Sequence, residues 1–295
     1  MLMSIVIPTC NQSFALDLTL FWLTNTLPEH TEIIVIDDGS VEDIQSVVKN
    51  YQTEFPILYN RIAHMGRAAA RNMGVSLSKG KRILFNDSDR FPANSNLKLH
   101  RDGKDILIGG IKEFYFSQPE KEKNAIKNNF EGLESKSRIP YYSKIIKNNL
   151  FDINGSCISN VPWISFLSGN VSVPRENFFQ VGGFDENFID WGVEHFELGY
   201  RFFLAGAKFK QIDTTNYHIA HSRSRHFYRS HLSSSFRYFK NKHRDQTVVM
   251  FEKFMFGIAS LQEVELSTLS NNNNNKNKNL WVMGKESEPI MMPRI

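Results

Sequence analysis

The chain has 295 residues, a length that suits one large α/β domain with an appendage or two small domains. Hydrophobic residues make up 41% and charged residues 22%, as in ordinary globular proteins, and the net charge of +4 is too small to indicate a nucleic-acid partner. No apolar run reaches the roughly 20 residues that cross a bilayer. Cys10 and Cys157 provide no disulfide framework and favour a reducing compartment. We therefore expect a cytoplasmic protein, with peripheral contact at the inner face of the membrane as its closest approach to lipid.

The first hundred residues alternate between strand-like and helix-like segments. Apolar β-branched runs predict strands at Met3–Ile7, Glu32–Ile36, Pro56–Tyr59 and Arg82–Phe85. Helical spacing between them predicts helices over 14–26, 41–51 and 66–78. Because alternation of this kind is typical of βαβ units, we predict an α/β fold with a mainly parallel central sheet flanked by helices.

Polar residues follow three of these strands at the point where each strand ends. The runs are Pro8-Thr9-Cys10-Asn11, Asp37-Asp38-Gly39-Ser40 and Asn86-Asp87-Ser88-Asp89. Because the carboxyl ends of parallel strands meet at one edge of a sheet and bind ligands there, we expect these side chains to converge. The sequence therefore predicts one ligand site at this edge.

The rest of the chain is less regular. Residues 117–137 are rich in Lys, Glu and Asn and predict an excursion or a mobile loop. Apolar spacing predicts a helix over 193–205, closed by Gly206, and a long helical segment over 226–265. The expected parts are a catalytic domain over 1–225 with a nucleotide half (1–95), a variable loop region (112–160) and an acceptor and metal half (163–225), a helical extension over 226–268, and a low-complexity, disordered tail over 269–295.

Two carboxylates, one residue apart, follow the apolar strand that ends at Phe85. Asp87 and Asp89 in such a position can share a hard divalent cation with the oxygens of a diphosphate. The alternative is a loop or a helix-capping pair, since acids after strands also serve as caps. The polar residues at the neighbouring strand ends favour the metal site.

Cationic and acidic side chains near these strand ends provide further ligand contacts. A carboxylate at Asp38 can accept hydrogen bonds from a base or a ribose, although the same turn can cap the next helix. Arg67 and Arg71 are four residues apart and therefore lie on one helix face. Their guanidinium groups can reach a phosphate, or alternatively form an ion pair with Asp37 or Asp87.

The first 95 residues resemble the nucleotide half of family 2 glycosyltransferases of GT-A fold. The resemblance is carried by Ile5-Val6-Ile7-Pro8-Thr9, the Asp37–Ser40 turn, Arg71-Asn72 with Gly74, and Asp87-Ser88-Asp89. It implies a nucleotide-sugar site that includes Pro8, Thr9, Asp38, Arg67, Arg71, Asp87 and Ser88. In that family Thr9 and Asp38 would contact the base, usually uracil, and Asp87 would face ribose or metal. Asp89 would be a direct ligand of Mn²⁺ or Mg²⁺.

The second half resembles the galactosyltransferase, polypeptide N-acetylgalactosaminyltransferase and chondroitin polymerase branch. The matching runs are Ser168–Arg175, Val181–Glu186 and Trp191–Leu198 with Arg201. The resemblance adds Gly169, Asn170, Gly182, Gly183 and Trp191 to the nucleotide-sugar site. A glycine pair leaves room for a sugar against the backbone, and Trp191 offers a flat face to a pyranose ring or, alternatively, is plain core.

The chain departs from this branch at the position of the catalytic base. Relatives carry a Trp-Gly-Gly-Glu-Asp or Trp-Gly-Gly-Glu-Asn box, whereas here Val193 replaces a glycine and His195 replaces the last residue. An imidazole has a pKa near neutrality and can take a proton from a hydroxyl. The catalytic candidates are therefore His195 and Glu194, and the stereochemical outcome stays open between inversion and retention.

Two histidines complete the expected metal site. His218 and His221 are three residues apart, and Mn²⁺ accepts imidazole as well as oxygen. By resemblance to the same branch, His221 is the expected ligand and His218 a second one. A surface or core role is the alternative for an isolated histidine pair.

Two other functions are the alternatives to this interpretation. A sugar-1-phosphate nucleotidyltransferase needs a glycine-rich loop after the first strand, and Pro8–Gln12 contains no glycine. A catalytically inactive, sugar-nucleotide-binding protein is the second alternative, and the change at His195 is the feature that favours it. We predict a metal-dependent hexosyl- or N-acetylhexosaminyltransferase, with galactose-type UDP-sugar donors favoured and a hydroxyl acceptor on a glycan, a lipid-linked intermediate, a peptide or a small natural product. The basic, aromatic segment 226–265 is expected to provide acceptor contacts, a homodimer interface or a membrane-surface patch.

Overall fold

A computed structural model describes residues 1–52, 55–189, 191–220 and 225–272. Four strands and three helices alternate in its first part: β1 (Met3–Thr9), α1 (Ser13–Thr26), β2 (Thr31–Asp38), α2 (Ile44–Gln52), β3 (Ile57–Ile62), α3 (Arg67–Leu77) and β4 (Arg82–Phe85). All seven elements predicted for this part are confirmed. β1 and β2 each run two residues further than predicted, so that Thr9 and Asp38 are the last residues of their strands.

The second part is more mixed. It contains β5 (Arg90–Phe91), β6 (Ile106–Phe114), α4 (Pro119–Asn128), α5 (Tyr141–Asn149), β7 (Val171–Pro174), α6 (Arg175–Gln180), α7 (Glu194–Leu204), β8 (Phe209–Ile219), α8 (Arg225–His243), α9 (Gln246–Met255) and α10 (Leu261–Asn272). The helix predicted over 193–205 is confirmed as α7. Gly206 follows it with a φ of +78°, a conformation in which glycine commonly ends a helix.

Eight strands form one sheet in the order β3-β2-β1-β4-β7-β6-β8-β5. β1 is parallel to β2 and β4, β2 is parallel to β3, and β6 is parallel to β8. β7 runs antiparallel to both of its neighbours, and β5 runs antiparallel to β8. The predicted α/β architecture with a mainly parallel sheet is confirmed, and the antiparallel pairs belong to its second part.

Helices cover both faces of the parallel strands, which is why β1 and β2 have nearly continuous apolar sequences. α1 and α2 pack on one face, where Leu16 and Val48 join the buried side chains of both strands. α3 packs on the other face and approaches it closely. A Cβ at Gly74 would come within 2.4 Å of Val6 Cγ1, so only glycine allows this helix to lie where it does.

The C-terminal helices share the core of the second part of the sheet. Phe236, Phe239, Phe251 and Phe254 are at most 2% exposed and join the cluster that contains Trp163. These four rings therefore belong to the core. The acceptor contacts, homodimer interface or membrane-surface patch predicted for 226–265 stay predictions and would have to use other side chains of the segment. No described helix is both long and apolar enough to cross a membrane.

The segment 226–265, predicted as one long helical stretch, is divided into three helices. Arg244 has a φ of +51° and Gly257 a φ of +71°, and each conformation interrupts the helical backbone. Asp245 then caps α9 by accepting a hydrogen bond from the Thr247 N–H at 2.6 Å. The expected tail boundary at 269 is also corrected, because α10 continues to Asn272; residues 273–295 lie outside the described residues.

The lysine-rich segment 117–137, predicted as an excursion or mobile loop, contains helix α4. Lys123 and Lys127 of this helix pair with Asp17 of α1 at 3.3 and 2.7 Å. Ile126 and Phe130 are buried beside the ring of Tyr217. The prediction of a loop from the polar composition was therefore wrong for α4. The lysines of this helix contact α1, and a few apolar residues anchor the segment in the core.

Candidate functional site

A cavity of about 240 Å³ opens at the carboxyl ends of β1, β2 and β4. Side chains from five elements and their loops surround it: Pro8, Thr9, Cys10, Gln12, Asp38, Arg67, Arg71, Asp87, Ser88, Asp89, Arg90, Trp191 and His218. The three polar strand ends identified in the sequence therefore do converge. α3, β8 and the segment before α7 complete the wall.

Asp87 lies between two guanidinium groups. Arg71 Nη2 donates to Asp87 Oδ1 at 2.8 Å, and Arg90 Nε donates to Asp87 Oδ2 at 3.1 Å. Burial alone would favour the neutral acid, but the two cations lower the pKa of Asp87 below its usual value. Both carboxylate oxygens are thus engaged by protein, and the ion pair that was the alternative interpretation of Arg71 is present.

Arg71 connects Asp87 to the second part of the chain. Its other nitrogen, Nη1, donates to Glu194 Oε1 at 3.1 Å, and its side chain is only 2% exposed. The Nε atom of Arg67 lies 3.9 Å from the same Glu194 oxygen, and its guanidinium lies over the ring of Trp191 at 5.8 Å. Arg67 is 40% exposed on the cavity wall, so it is the arginine of this pair that can move toward a ligand.

Asp89 faces the cavity beside a histidine and a glutamine. Asp89 Oδ2 lies 3.5 Å from His218 Nε2 and accepts a hydrogen bond from Gln12 Nε2 at 3.3 Å. His218 Nδ1 lies 3.7 Å from Glu113. Burial disfavours the charged imidazole, yet contacts with Asp89 and Glu113 raise the pKa of His218 above its usual value. The pair Asp89–His218 therefore joins a carboxylate and an imidazole at one wall.

Ser88 is held from the opposite side by the loop and helix after β1. Its hydroxyl donates to Gln12 Oε1, and its carbonyl accepts a hydrogen bond from the Thr19 hydroxyl at 2.9 Å. Gln12 thus contacts two residues of the Asp87–Asp89 turn. It was not among the predicted site residues, nor was Arg90. Each directly follows a run that the sequence had marked, so extending both runs by one residue would have found them.

At the other end of the cavity, Thr9 and Asp38 terminate neighbouring strands. Thr9 Oγ1 is buried, and no described group forms a hydrogen bond with it. Asp38 accepts hydrogen bonds from the backbone N–H groups of Met65 and Gly66 at 2.7 and 2.9 Å. Asp38 therefore fixes the loop that starts α3 as well as lining the cavity, and the Thr9 hydroxyl is available for a ligand.

Gly169 and Asn170, predicted to contact the nucleotide sugar, are not among the residues that line the cavity. Asn170 is fully buried, and its amide bonds the Gly110 carbonyl and His100 at 2.9 and 3.0 Å. A Cβ on Gly169 would lie 2.1 Å from the Arg90 side chain. Asn170 therefore packs in the core and Gly169 packs beneath Arg90, and their contact with the nucleotide sugar stays a prediction.

The glycine pair Gly182-Gly183 also lies outside the cavity wall. Both residues have positive φ angles, +85° and +71°. A Cβ on Gly183 would approach Asn72 Oδ1 to 2.9 Å, and Arg201 donates to the Gly183 carbonyl at 2.6 Å. These glycines form a turn between α6 and α7, and the space for a sugar beside them stays a prediction.

Glu194 and His195 form a close pair at the start of α7, behind Arg67 and Trp191. His195 Nδ1 lies 3.8 Å from Glu194 Oε1. Burial would raise the pKa of the Glu194 carboxyl, but His195, Arg67 and Arg71 lower it far below its usual value. Glu194 Oε2 and His195 Nε2 are buried without a hydrogen-bond partner among the described residues. A strongly stabilised carboxylate is a poor proton acceptor, whereas the imidazole keeps one nitrogen available.

The donor set suits a divalent cation in part. Asp89 and His218 supply an oxygen and a nitrogen ligand, a combination that Mn²⁺ accepts. Across the described ranges, no group of three or more His, Cys, Asp or Glu side chains is placed to hold a metal. His221, the other predicted ligand, lies outside the described residues. Two protein ligands and a diphosphate are a combination that divalent cations use in nucleotide sites.

Comparison with known sequences covers most of the chain. A family model for glycosyl transferase family 2 matches residues 4–159, more than half of the chain. A model for the N-terminal domain of galactosyltransferase matches residues 156–228. The two matches overlap at residues 156–159, between α5 and β7.

Two relatives are similar over about 70% of the chain. Validoxylamine A glucosyltransferase of Streptomyces hygroscopicus subsp. limoneus is 32% identical over 220 residues, which are 70% of this chain and 48% of that protein. Chondroitin synthase of Pasteurella multocida is 33% identical over 231 residues, 72% of this chain and 24% of that protein. The chain thus spans about half, or less, of the length of these relatives.

Solved structures of low sequence identity share the fold. Staphylococcus aureus TarS in complex with UDP matches with a TM-score of 0.57 and 15% identity, over 89% of this chain and 77% of that one. GalNAc-T7 with UDP, GalNAc and Mn²⁺ matches with a TM-score of 0.58 and 15% identity, over 92% and 54%. The predicted GT-A fold is confirmed. With the family model matching residues 4–159, the chain belongs to glycosyl transferase family 2.

Proposed function

We propose that the chain is a Mn²⁺-dependent glycosyltransferase that moves a hexose or N-acetylhexosamine, of galactose type, from a UDP-sugar to a hydroxyl acceptor. The observation that carries this proposal is the cavity at the strand ends. Thr9, Asp38, Arg67, Asp89 and Trp191 all line it. These residues offer hydrogen-bonding groups for a base, a mobile cation for a diphosphate, a metal-ligating carboxylate and a flat ring for a sugar.

The donor is proposed from the site and from the neighbours together. Thr9 has a buried hydroxyl with no hydrogen-bond partner among the described residues, and Thr9 and Asp38 line the same cavity at the ends of two adjacent strands. A base that offers both a donor and an acceptor on one edge, as uracil does, can use both groups. TarS was solved with UDP-GlcNAc and GalNAc-T7 with UDP and GalNAc, which supports a uridine donor.

The proposed metal site consists of Asp89 and His218. A bound Mn²⁺ would offset the negative charge that develops on the diphosphate leaving group. GalNAc-T7 and a Pyrobaculum calidifontis mannosyltransferase were each solved with Mn²⁺, which supports this choice of ion. Asp87 is not part of the proposed metal site, because both of its carboxylate oxygens already bind arginine side chains, those of Arg71 and Arg90.

In the proposed transfer, His195 accepts the proton of the acceptor hydroxyl. That oxygen forms a bond to the anomeric carbon while the bond from this carbon to the diphosphate oxygen breaks, and UDP leaves. Glu194 orients the imidazole through its Nδ1 side and leaves Nε2 available. The guanidinium of Arg67, which is exposed on the cavity wall, would bind the negatively charged diphosphate.

The acceptor is proposed to be a hydroxyl of a glycan or glycoconjugate, as the relationship to chondroitin synthase favours. A small natural product is the second candidate, because validoxylamine A glucosyltransferase is equally similar to the chain. We propose a cytoplasmic location on the basis of two cysteines that are both free thiols.

The proposal is tested by incubating the protein with a panel of UDP-sugars and Mn²⁺ and measuring UDP release, with water or added acceptors as the second substrate. Release of UDP with one sugar, lost on chelation of the metal, is the expected result. No release with any donor, combined with measurable UDP-sugar binding, would favour the inactive binding protein instead. Acceptor arms with a glycan and with validoxylamine A separate the two acceptor candidates.

A further inference from the structure

A pair of buried amides lies directly behind the Asp87–Asp89 turn. Asn86 and Asn216 are both fully buried. Asn216 Nδ2 donates to Asn86 Oδ1 at 2.6 Å and to the Gly169 carbonyl at 3.0 Å. One amide group thus ties the end of β4, the strand β8 and the turn before β7 to one another.

Asn86 extends this connection into the turn itself. Its Nδ2 donates to the carbonyls of Asp87 and Arg90, both at 2.8 Å. The Arg90 N–H also donates to the Asp87 carbonyl at 3.1 Å. The backbone that carries Ser88 and Asp89 is therefore closed at both of its ends by one side chain.

Asn216 lies two residues before His218 on β8, so the two side chains leave the same face of the strand. Arg90 is paired in register with His218 across the β5–β8 ladder. The Ile219 N–H donates to the Asp89 carbonyl at 2.9 Å. Backbone pairing on one side and the amide pair on the other therefore fix the two proposed metal ligands relative to each other.

The energetic cost of this arrangement favours a role in orientation. Asn216 Oδ1 is buried with no hydrogen-bond partner within the described part of the chain. A buried, unsatisfied oxygen costs about 1–3 kcal/mol, and two apolar side chains of the same size would avoid that cost. The amide pair thus contributes directional contacts to the turn, which apolar packing could not supply.

We infer that Asn86 and Asn216 are positioning residues that hold Asp89 and His218 in the geometry that binds the divalent cation. This inference rests on the proposed function, because it assumes that the cation binds at Asp89 and His218. The amide pair thus contributes to the Mn²⁺ affinity of the site rather than to the stability of the fold. Neither residue lines the cavity, so neither contacts the nucleotide sugar.

The test compares Asn216→Leu, which keeps the shape of the side chain and removes its hydrogen bonds, with Thr214→Val as a matched control. Thr214 lies on the same strand, is 2% exposed, and hydrogen-bonds His100 away from the turn. Mn²⁺ affinity is measured by calorimetry in saturating UDP, and the melting temperature is measured without ligand. Asn86→Ser serves as a second variant if Asn216→Leu does not fold.

The expected result is a loss of Mn²⁺ affinity of roughly 10–100-fold in Asn216→Leu or Asn86→Ser, the range for residues that orient metal ligands. Thr214→Val should lower the melting temperature and leave the Mn²⁺ affinity within about twofold of the parent protein. Folded amide variants with parental affinity would overturn the inference while leaving the proposed function intact. Failure of the parent protein to bind Mn²⁺ in UDP would overturn both.

Discussion

The proposed nucleotide side and the proposed acceptor side of the cleft use their polar and glycine-containing motifs in different ways. On the nucleotide side, Asp38 and Asp89 line the cavity at or just after strand ends, as predicted, and Arg67 lines it from the first turn of α3. On the acceptor side, Gly183 and Asn170 pack against other protein groups, and their contact with a ligand stays a prediction. The edge of a parallel sheet must present its strand ends to a ligand, whereas a glycine or an asparagine in a turn can serve either a ligand or the backbone.

Of the substitutions considered, Asp89→Ala on the nucleotide side should cause the largest loss of activity. Removing the carboxylate leaves His218 as the remaining proposed ligand among the described residues, so Mn²⁺-dependent activity should fall at least roughly a thousandfold. Initial rates of UDP release over a Mn²⁺ titration measure this. Asp213→Asn, an exposed acid on β8, is the control and should keep full activity. Full activity in Asp89→Ala would exclude this residue as a metal ligand.

Arg71→Ala tests the link between the two sides. The substitution leaves Asp87 and the buried Glu194 without their shared cation. Breaking a buried pair from one side costs about 3–5 kcal/mol, so the free energy of unfolding should fall by that amount. Urea unfolding measures it, and Arg237→Ala, at an exposed position on α8, should cost less than about 1 kcal/mol. A small loss in Arg71→Ala would mean that the two acids find other partners.

On the acceptor side, His195→Ala tests whether His195 is the general base and Glu194 only orients it. Loss of a general base lowers turnover by about a hundredfold or more. The Michaelis constant for the donor should change little, because His195 does not line the donor cavity. Steady-state kinetics with a saturating acceptor provide the measurement. A loss below tenfold would transfer the role to Glu194, despite the depressed pKa of its carboxyl.

Glu197 shows how charges on the acceptor side can serve the fold alone. This fully buried carboxylate contacts His243 and Arg201 at 2.8 Å. Burial opposes its ionisation, but these partners and Lys242 lower the pKa of Glu197 to about 2. Its contribution to stability is therefore complete above about pH 4.5 and is lost as the pH falls toward 2.

The matching variant is Glu197→Gln, measured by thermal unfolding from pH 3 to pH 7. At pH 7 it should lose about 2–3 kcal/mol of stability relative to the parent protein, and this difference should shrink as the pH approaches 3. Glu176→Gln, at an exposed position on α6, should follow the parent curve. A stability difference that does not depend on pH would mean that packing, not charge, fixes Glu197.

The first part of the fold could be predicted from sequence because each buried strand is an apolar run and each covering helix has apolar spacing. The segment with α4 could not, since Lys123 and Lys127 are held by Asp17, a partner more than 100 residues away. The part of the site formed by residues at or just after the ends of β1, β2 and β4 could be predicted from the sequence. The roles of Gly169 and Gly183 could not, because the Arg90 and Asn72 side chains that need their space come from distant elements.

Thermal protection by the donor tests the central claim most directly. The protein is melted with a UDP-sugar near 100 times its dissociation constant, with and without Mn²⁺, alongside Asp89→Asn. Such binding stabilises by about 2.7 kcal/mol, which raises the melting temperature by roughly 5–10 °C for a chain of this size. The account predicts this shift with Mn²⁺ in the parent protein and little of it in Asp89→Asn. Equal protection in both proteins, with or without the ion, would contradict a metal-held diphosphate at Asp89.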